Sequence, residues 1–256
     1  MPYFSIITPT YKRANALRRA IFSVMGQNYQ DFEMIIINDS PDDESYKDID
    51  DVFIDSRIRY IKNERNKGVN FSRNRALDLV SMESDWVIFL DDDDYFASDT
   101  LKIFSDLIKK YENDTWFMCN RATKGGVSLT SISKNDTRLN YVWNFLITKR
   151  FKGDATHCIR KDALKDIYFP KTIKQGDEWL FFYELSLHSP FFYHNFNATK
   201  TLGYETGGLN FRQRTIKKQL QTLKLLYQEG KERKIHLNPS FVIYMSMRLI
   251  RSFIKK

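Results

Sequence analysis

Four consecutive aspartates, Asp91 to Asp94, end the apolar run "VIFLDDDDYF" (87–96). Like charges this close repel one another, and salt screens the repulsion only in part. Such a cluster calls for positive charge nearby, either a divalent cation or a set of Lys and Arg side chains. Carboxylate oxygens are the ligands that Mg2+ and Mn2+ prefer, and both ions bridge phosphates. The plain alternative is a solvated acidic turn. A second acidic pair, Asp177-Glu178 in "QGDEW" (175–179), opens a segment of helical period. One of the two could act as a general base, or both could simply favour a helix N-terminus through its dipole. The first strand-to-helix turn, "TPTYKR" (8–13), lacks the glycines that let a backbone wrap a pyrophosphate, and no GxGxxG or P-loop occurs. That weighs against dinucleotide and P-loop chemistry, so a diphosphate held here would need another counter-charge.

The elements that must position these groups alternate over the first hundred residues. "YFSIIT" (3–8), "FEMIIIN" (32–38), "RIRYIKN" (57–63) and "WVIFL" (86–90) read as strands, with helices over 14–27 and 68–82. Apolar runs without strict alternation predict strands covered on both faces, hence a mostly parallel α/β sheet with crossover helices. Ligands gather at the carboxyl ends of such strands, where Thr8 to Tyr11, Asn38 to Ser40 and Asp91 to Asp94 fall. Further on, a helix is expected over 98–113 with Ser98 as its N-cap, and a strand over 115–122. A polar, mobile loop is expected over 123–140, a helix over 176–189, β structure over 190–204 and a flexible loop over 205–210.

"TPTYKR", Asp39 after the second strand, "NKGVNFSRN" (66–74) and "LDDDD" occur in the order seen in family 2 glycosyltransferases of the GT-A type, and the chain resembles that family over roughly residues 3–210. The family's N-x-G-x-x-x-A-R-N pattern is matched at Asn66, Gly68, Arg73 and Asn74, with Ser72 in place of alanine; its D-x-D motif is matched by Asp91 and Asp93 around Asp92. The resemblance implies a Rossmann-like GT-A domain over 1–209, with a nucleotide-sugar half (1–97) and an acceptor half (98–209). It also implies inverting transfer from a nucleotide-sugar, a UDP-hexose or UDP-N-acetylhexosamine, with Mn2+ or Mg2+. Thr8, Pro9, Thr10, Tyr11 and Arg13 would belong to the nucleotide site, with Asp39 accepting from the uracil N–H; otherwise Asp39 is a turn residue. By the same resemblance Asn66 and Gly68 would belong to that site. Arg73 would face the diphosphate, or else be a surface helix charge. Asp91 and Asp93 would contact the ribose and the metal, with Asp92 in support. The base would be Asp177, which directly follows a glycine, with Glu178 second. His194 is a possible supplementary metal ligand, the other histidines being structural. Trp143, Trp179 and Tyr204 could stack on an acceptor sugar, although core packing suits the tryptophans better. A nucleotidyltransferase is the alternative enzyme, and a glycan- or lipid-binding protein that has lost catalysis the non-enzymatic one.

The net charge of +8 is unevenly placed. Asn210 to Lys256 hold twelve Lys or Arg against two Glu, a local +10, which leaves 8 − 10 = −2 for the rest. The core domain therefore shows no nucleic-acid footprint. Residues 210–256 read as a basic helical extension, in which "PSFVIYMSMRLIRSFIKK" (239–256) sets Val242, Met245, Leu249 and Phe253 on one side and Arg248, Arg251 and Lys255 on another. Such a helix suits an anionic membrane surface, or else docks on the core. Cys119 and Cys158 are expected to be free thiols. With no secretory leader and no long apolar span in view, the expected setting is cytoplasmic, peripheral at the inner membrane face, with a lipid-linked or oligosaccharide acceptor of bacterial surface polysaccharide or lipooligosaccharide.

Overall fold

Side-chain alternation in the central strands decides the layers. In β1 (Phe4–Thr10) and β2 (Phe32–Asn38) every residue is buried. Phe4 and Ile6, with Phe32, Met34 and Ile36, feed one core, while Ile7, Ile35 and Ile37 feed the other. A strand with apolar residues on both faces needs helices above and below it. One face is covered by α1 (Ala14–Met25) and α3 (Thr100–Lys110), through Leu17, Ile21, Val24, Leu101 and Phe104. The other is covered by α2 (Val69–Leu77), α4 (Trp179–Ser186), α5 (Ile216–Glu232) and α6 (Pro239–Ile254). The computed structural model describes residues 3–132, 134–201 and 215–254.

The sheet has the order β3-β2-β1-β4-β8-β6-β9-β5, with β7 (Thr137–Leu139) also paired to β9. Here β3 is Ile58–Lys62, β4 Trp86–Phe89, β5 Asp94–Phe96, β6 Trp116–Thr123, β8 Ala155–Arg160 and β9 Phe191–Thr201. Strands β1, β2, β3, β4, β6 and β9 run one way, and β5, β7 and β8 run against them. The expected α/β sheet, flanking helices and C-terminal helices are present. Three details differ. Ser98 does not cap α3; the cap position is Asp99, without a side-chain cap bond, and the Ser98 hydroxyl donates to Asp99 instead. The 123–140 stretch is not all loop, since it contains β7 and the bridge Ala122↔Ser128. Strand β8 lies where the sequence pattern predicts no strand. The expected loop over 205–210 and Tyr204 lie outside the described residues.

Helices α5 and α6 share the core that lies under α4. Leu226, Ile235, Phe241 and Tyr244 share one apolar cluster with Trp179 and Tyr183. The two helices approach so closely that a Cβ at Gly230 would lie 2.6 Å from the Phe241 ring. Glu229 on α5 accepts from the Thr172 amide at 2.7 Å and its hydroxyl at 2.9 Å, and Arg233 bridges Glu229 and Glu184. Phe241→Ala is therefore expected to destabilise the whole chain by about 3–5 kcal/mol in denaturant titration, the cost of emptying a fully buried phenyl site. A loss below about 1 kcal/mol, the level of a surface change, would mark the C-terminal helices as a separable appendage.

Candidate functional site

The carboxyl ends of β1, β2 and β4 bring the sequence motifs to one edge of the sheet. There three arginines share the four aspartates. Asp91 accepts from Arg73 at 2.6 Å. Asp92 accepts from the Thr10 hydroxyl at 2.8 Å, the Tyr11 amide at 3.3 Å and Arg13 at 3.2 Å. Asp93 takes the same Arg13 guanidinium at 2.8 Å, and Asp94 pairs with Arg121 of β6 at 2.8 Å. Burial pushes the Asp92 carboxyl up to about 6, with Arg13 opposing and Asp91 and Asp93 adding to the rise. Burial likewise raises Asp94 to about 7, against the pull of Arg121. Asp91 goes the other way: its burial is outweighed by Arg73 and Arg121, which hold it below the usual range. Oxygens of Asp91, Asp93 and Asp94 lie within 4.8 Å of one another, an all-oxygen donor set that fits Mg2+ or Mn2+. His194 is not part of this cluster; its Nδ1 lies 2.6 Å from Asp136 on the far end of β9.

The N-x-G motif holds the loop of the acidic pair. Gly68 opens α2 at φ 95, where a Cβ would lie 2.4 Å from the Lys174 carbonyl. The Asn70 amide group donates to the Ile173 and Gly176 carbonyls at 2.8 and 3.1 Å, and Asn74 exchanges two hydrogen bonds with the Phe169 backbone. Asp39 braces α2 from behind: its carboxylate accepts from Asn63 and from the Lys67 and Gly68 amides at 2.7–2.8 Å. Asn66 is exposed beside this turn, and Thr8 and Pro9 are buried within β1. Arg73 points inward and bridges Asp91 and Glu178, each at 2.6 Å. Burial alone would loosen its proton, but the two carboxylates hold it more tightly than usual.

Asp177 and Glu178, adjacent in sequence, differ in surroundings. The Asp177 side chain is 4% exposed and accepts from Arg248 of α6 at 2.5 Å and from Trp179 Nε1 at 3.1 Å. Glu178 is 43% exposed at the cavity and meets Arg73. Both acids, with Asp91, Asp94, Arg121 and Asp154, line one cavity of about 340 Å³. Arg121 and Asp154 carry no motif that would single them out in the sequence. Trp179 is buried, as core packing suggests, whereas Trp143 is half exposed. Cys119 and Cys158 are buried free thiols.

Residues 5–169 match the family model described as Glycosyl transferase family 2. Among curated relatives, the GalNAc(5)-diNAcBac-PP-undecaprenol beta-1,3-glucosyltransferase of Campylobacter jejuni is 29% identical over 76% of this chain and 63% of its own length. The putative colanic acid biosynthesis glycosyl transferase WcaA of Escherichia coli is 30% identical over 70% of this chain and 69% of its own. The chain spans 63%, 40% and 32% of the lengths of three relatives it matches. Among solved structures, S. aureus TarS 1–349 in complex with UDP-GlcNAc superposes with a TM-score of 0.73 at 18% identity, covering 98% of this chain and 71% of TarS 1–349. At that identity the likeness is one of fold.

His157, on the cavity wall, accepts from Trp116 Nε1 at 3.1 Å. Burial depresses its ring to about 3, so the folded protein keeps it neutral. As pH falls below 6.5 the unfolded chain binds this proton and the folded chain does not, which removes stability until about pH 3. Between pH 7 and 4.5, the parent protein is expected to lose about 2 kcal/mol more than His157→Gln in denaturant titration. Equal losses would show that the ring is charged in the folded state.

Proposed function

The chain belongs to glycosyl transferase family 2, and from that premise we propose that it transfers a hexose or N-acetylhexosamine from a UDP-sugar to a saccharide acceptor, inverting the anomeric centre. The observation that carries this reading is Arg73, which sets a donor-side aspartate and an acceptor-side glutamate in a single cavity. Thr10, Tyr11 and Arg13, gathered on Asp92, form the wall of the nucleotide site. Glu178 is the base: one oxygen rests on Arg73 and the side chain reaches the cavity, where it takes the proton of the acceptor hydroxyl. This reverses the order expected within the pair, because Asp177 is turned onto Arg248. Asp91, Asp93 and Asp94 would hold Mg2+ or Mn2+, which offsets charge on the departing nucleoside diphosphate when bound.

In this reading residues 1–97 are the nucleotide-sugar half, 98–209 the acceptor half and 210–256 the extension, whose helices α5 and α6 pack against α4. The UDP and UDP-GlcNAc complexes of TarS support the donor class. The undecaprenol-linked acceptor named for the Campylobacter relative supports a lipid-linked or oligosaccharide acceptor of a bacterial surface glycan. Glu178→Gln is expected to bind UDP normally and to lose transfer by about two to four orders of magnitude. Asp93→Ala is expected to lose the Mn2+-dependent part of UDP affinity while its fold stays intact. Retained turnover in the first variant, with loss in Asp177→Asn, would return the base to Asp177. Unchanged Mn2+-dependent affinity in the second would remove Asp93 from the metal site.

The same reading places the protein at the inner face of the cytoplasmic membrane. No helix among the described residues is long and apolar enough to cross one. Helix α6 instead leaves Leu249, Ile250, Phe253 and Ile254 exposed, with Arg251 beside them. Phe241 and Tyr244 are its buried side, so deleting the helix would disturb the core; point changes on the outer face test lipid contact more cleanly. Ile250→Ser with Phe253→Ser is expected to weaken co-sedimentation with phosphatidylglycerol vesicles at least about ten-fold, each buried side chain contributing about 1.5–3 kcal/mol. Equal pelleting of parent and variant would remove α6 as the membrane contact.

A further inference from the structure

Asp177 is the point at which the C-terminal helix touches the catalytic loop. Gly176 and Asp177 both adopt left-handed backbone conformations, φ 75 and 57, so the chain reverses just before α4. Asp and Asn tolerate this region better than most residues, but it stays sparsely populated unless surrounding contacts fix it. Any rotation at Asp177 swings the next residue, Glu178. From the α2 side the loop is gripped through Gly68 and Asn70, which stop at Lys174 and Gly176. From the other side Arg248, 71 residues away in sequence, donates to Asp177 Oδ1 at 2.5 Å. Its guanidinium also lies 5.5 Å from the centroid of the Trp179 ring, and Tyr244, one turn earlier on α6, packs edge-on against that ring at 4.7 Å. The pair is well shielded, with side-chain exposures of 21% and 4%, so solvent weakens it little.

We propose that Arg248 is a positioning residue for sugar transfer: acting from the C-terminal helix, it fixes Asp177 and thereby the direction in which Glu178 faces the cavity. This rests on the assignment of Glu178 as the base. Arg73 fixes the carboxylate of Glu178 directly, and Arg248 fixes the backbone that carries it. Small misplacements of a base cost rate without costing donor affinity, because the donor contacts lie on β1, β4 and α2. Arg248 therefore acts on kcat, and the nucleotide site is indifferent to it.

The test is steady-state transfer combined with UDP calorimetry on full-length variants. Arg248→Met keeps the aliphatic stem against Trp179 and removes the charge. It is expected to lower kcat between about ten-fold and a hundred-fold, with KM for the UDP-sugar and Kd for UDP within about two-fold of the parent. Arg248→Lys, which restores charge without the fork, is expected to recover part of the loss. Combining Asp177→Asn with Arg248→Met is expected to be no slower than Arg248→Met alone, because the two residues act as one unit. Should Arg248→Met fail to fold, the combined variant decides, since it leaves no buried carboxylate without its cation. In it, kcat at least about ten-fold below the parent with intact UDP affinity supports the proposal. Parental kcat in a folded variant, or a fall in UDP affinity matching the fall in kcat, overturns it. Glu178→Gln run alongside separates the two readings: retained turnover there removes the base assignment, whatever Arg248 variants do.

Discussion

A single guanidinium joins the two halves of the site. Arg73 is nearly fully buried, and a buried cation is tolerable only when carboxylates meet it with good geometry. Its two partners come from different parts of the chain, Asp91 from the end of β4 and Glu178 from the start of α4. Losing either would leave charge buried without full compensation, so the ion pairs fix the spacing between Asp91 and Glu178 as firmly as the sheet does. The rest of α2 is arranged around this demand. Gly68 and Asn70 bring the 173–176 loop against the helix start, Asn74 ties down Phe169, and the Phe169 ring lies under the Arg73 guanidinium.

The run of four aspartates is tolerated for a related reason. Three arginines from separate elements divide the charge: Arg73 from α2, Arg13 from the turn after β1 and Arg121 from β6. The division is uneven. Asp91, facing two arginines, keeps its negative charge readily, while Asp92 and Asp94, more buried than compensated, hold their protons to about 6 and about 7. A site built this way has negative charge to offer a cation and also has cations poised for phosphate oxygens.

The first hundred residues were legible because periodicity and strand-end motifs coincide there: β1, β2 and β4 are buried apolar runs, and Thr10 to Arg13, Asp39 and the aspartates follow them directly. The second half was less so. β8, "ATHCIR", mixes polar and apolar residues although Thr156, Cys158 and Ile159 are buried between β4 and β6, so no apolar run marks it in the sequence. β5 is three residues long and begins with the last aspartate, so it hides inside the acidic motif. Arg121 and Arg248 could not be found from spacing, because their partners lie 27 and 71 residues away. That Asp177 turns onto Arg248 while Glu178 meets Arg73 depends on a left-handed turn, and adjacent residues give no sequence signal for it.

The charge of the C-terminal segment also reads differently once it is folded. A local +10 suggests a uniform basic surface, but two of its arginines point inward. Arg233 ties α5 to Glu184 and Glu229, and Arg248 ties α6 to Asp177. These contacts cement the segment to α4 and the loop before it, so its basic character is partly structural glue. Among the described residues, α6 brings Arg251 to the side that exposes Ile250, Phe253 and Ile254, while Lys217, Lys218, Lys224, Lys231 and Lys234 are exposed on or beside α5. Apolar insertion and electrostatic attraction reinforce each other only when they share a face. Helix α6 thus has an inner side bearing on the loop of Asp177 and Glu178 and an exposed outer side, and the two are rigidly related by its backbone.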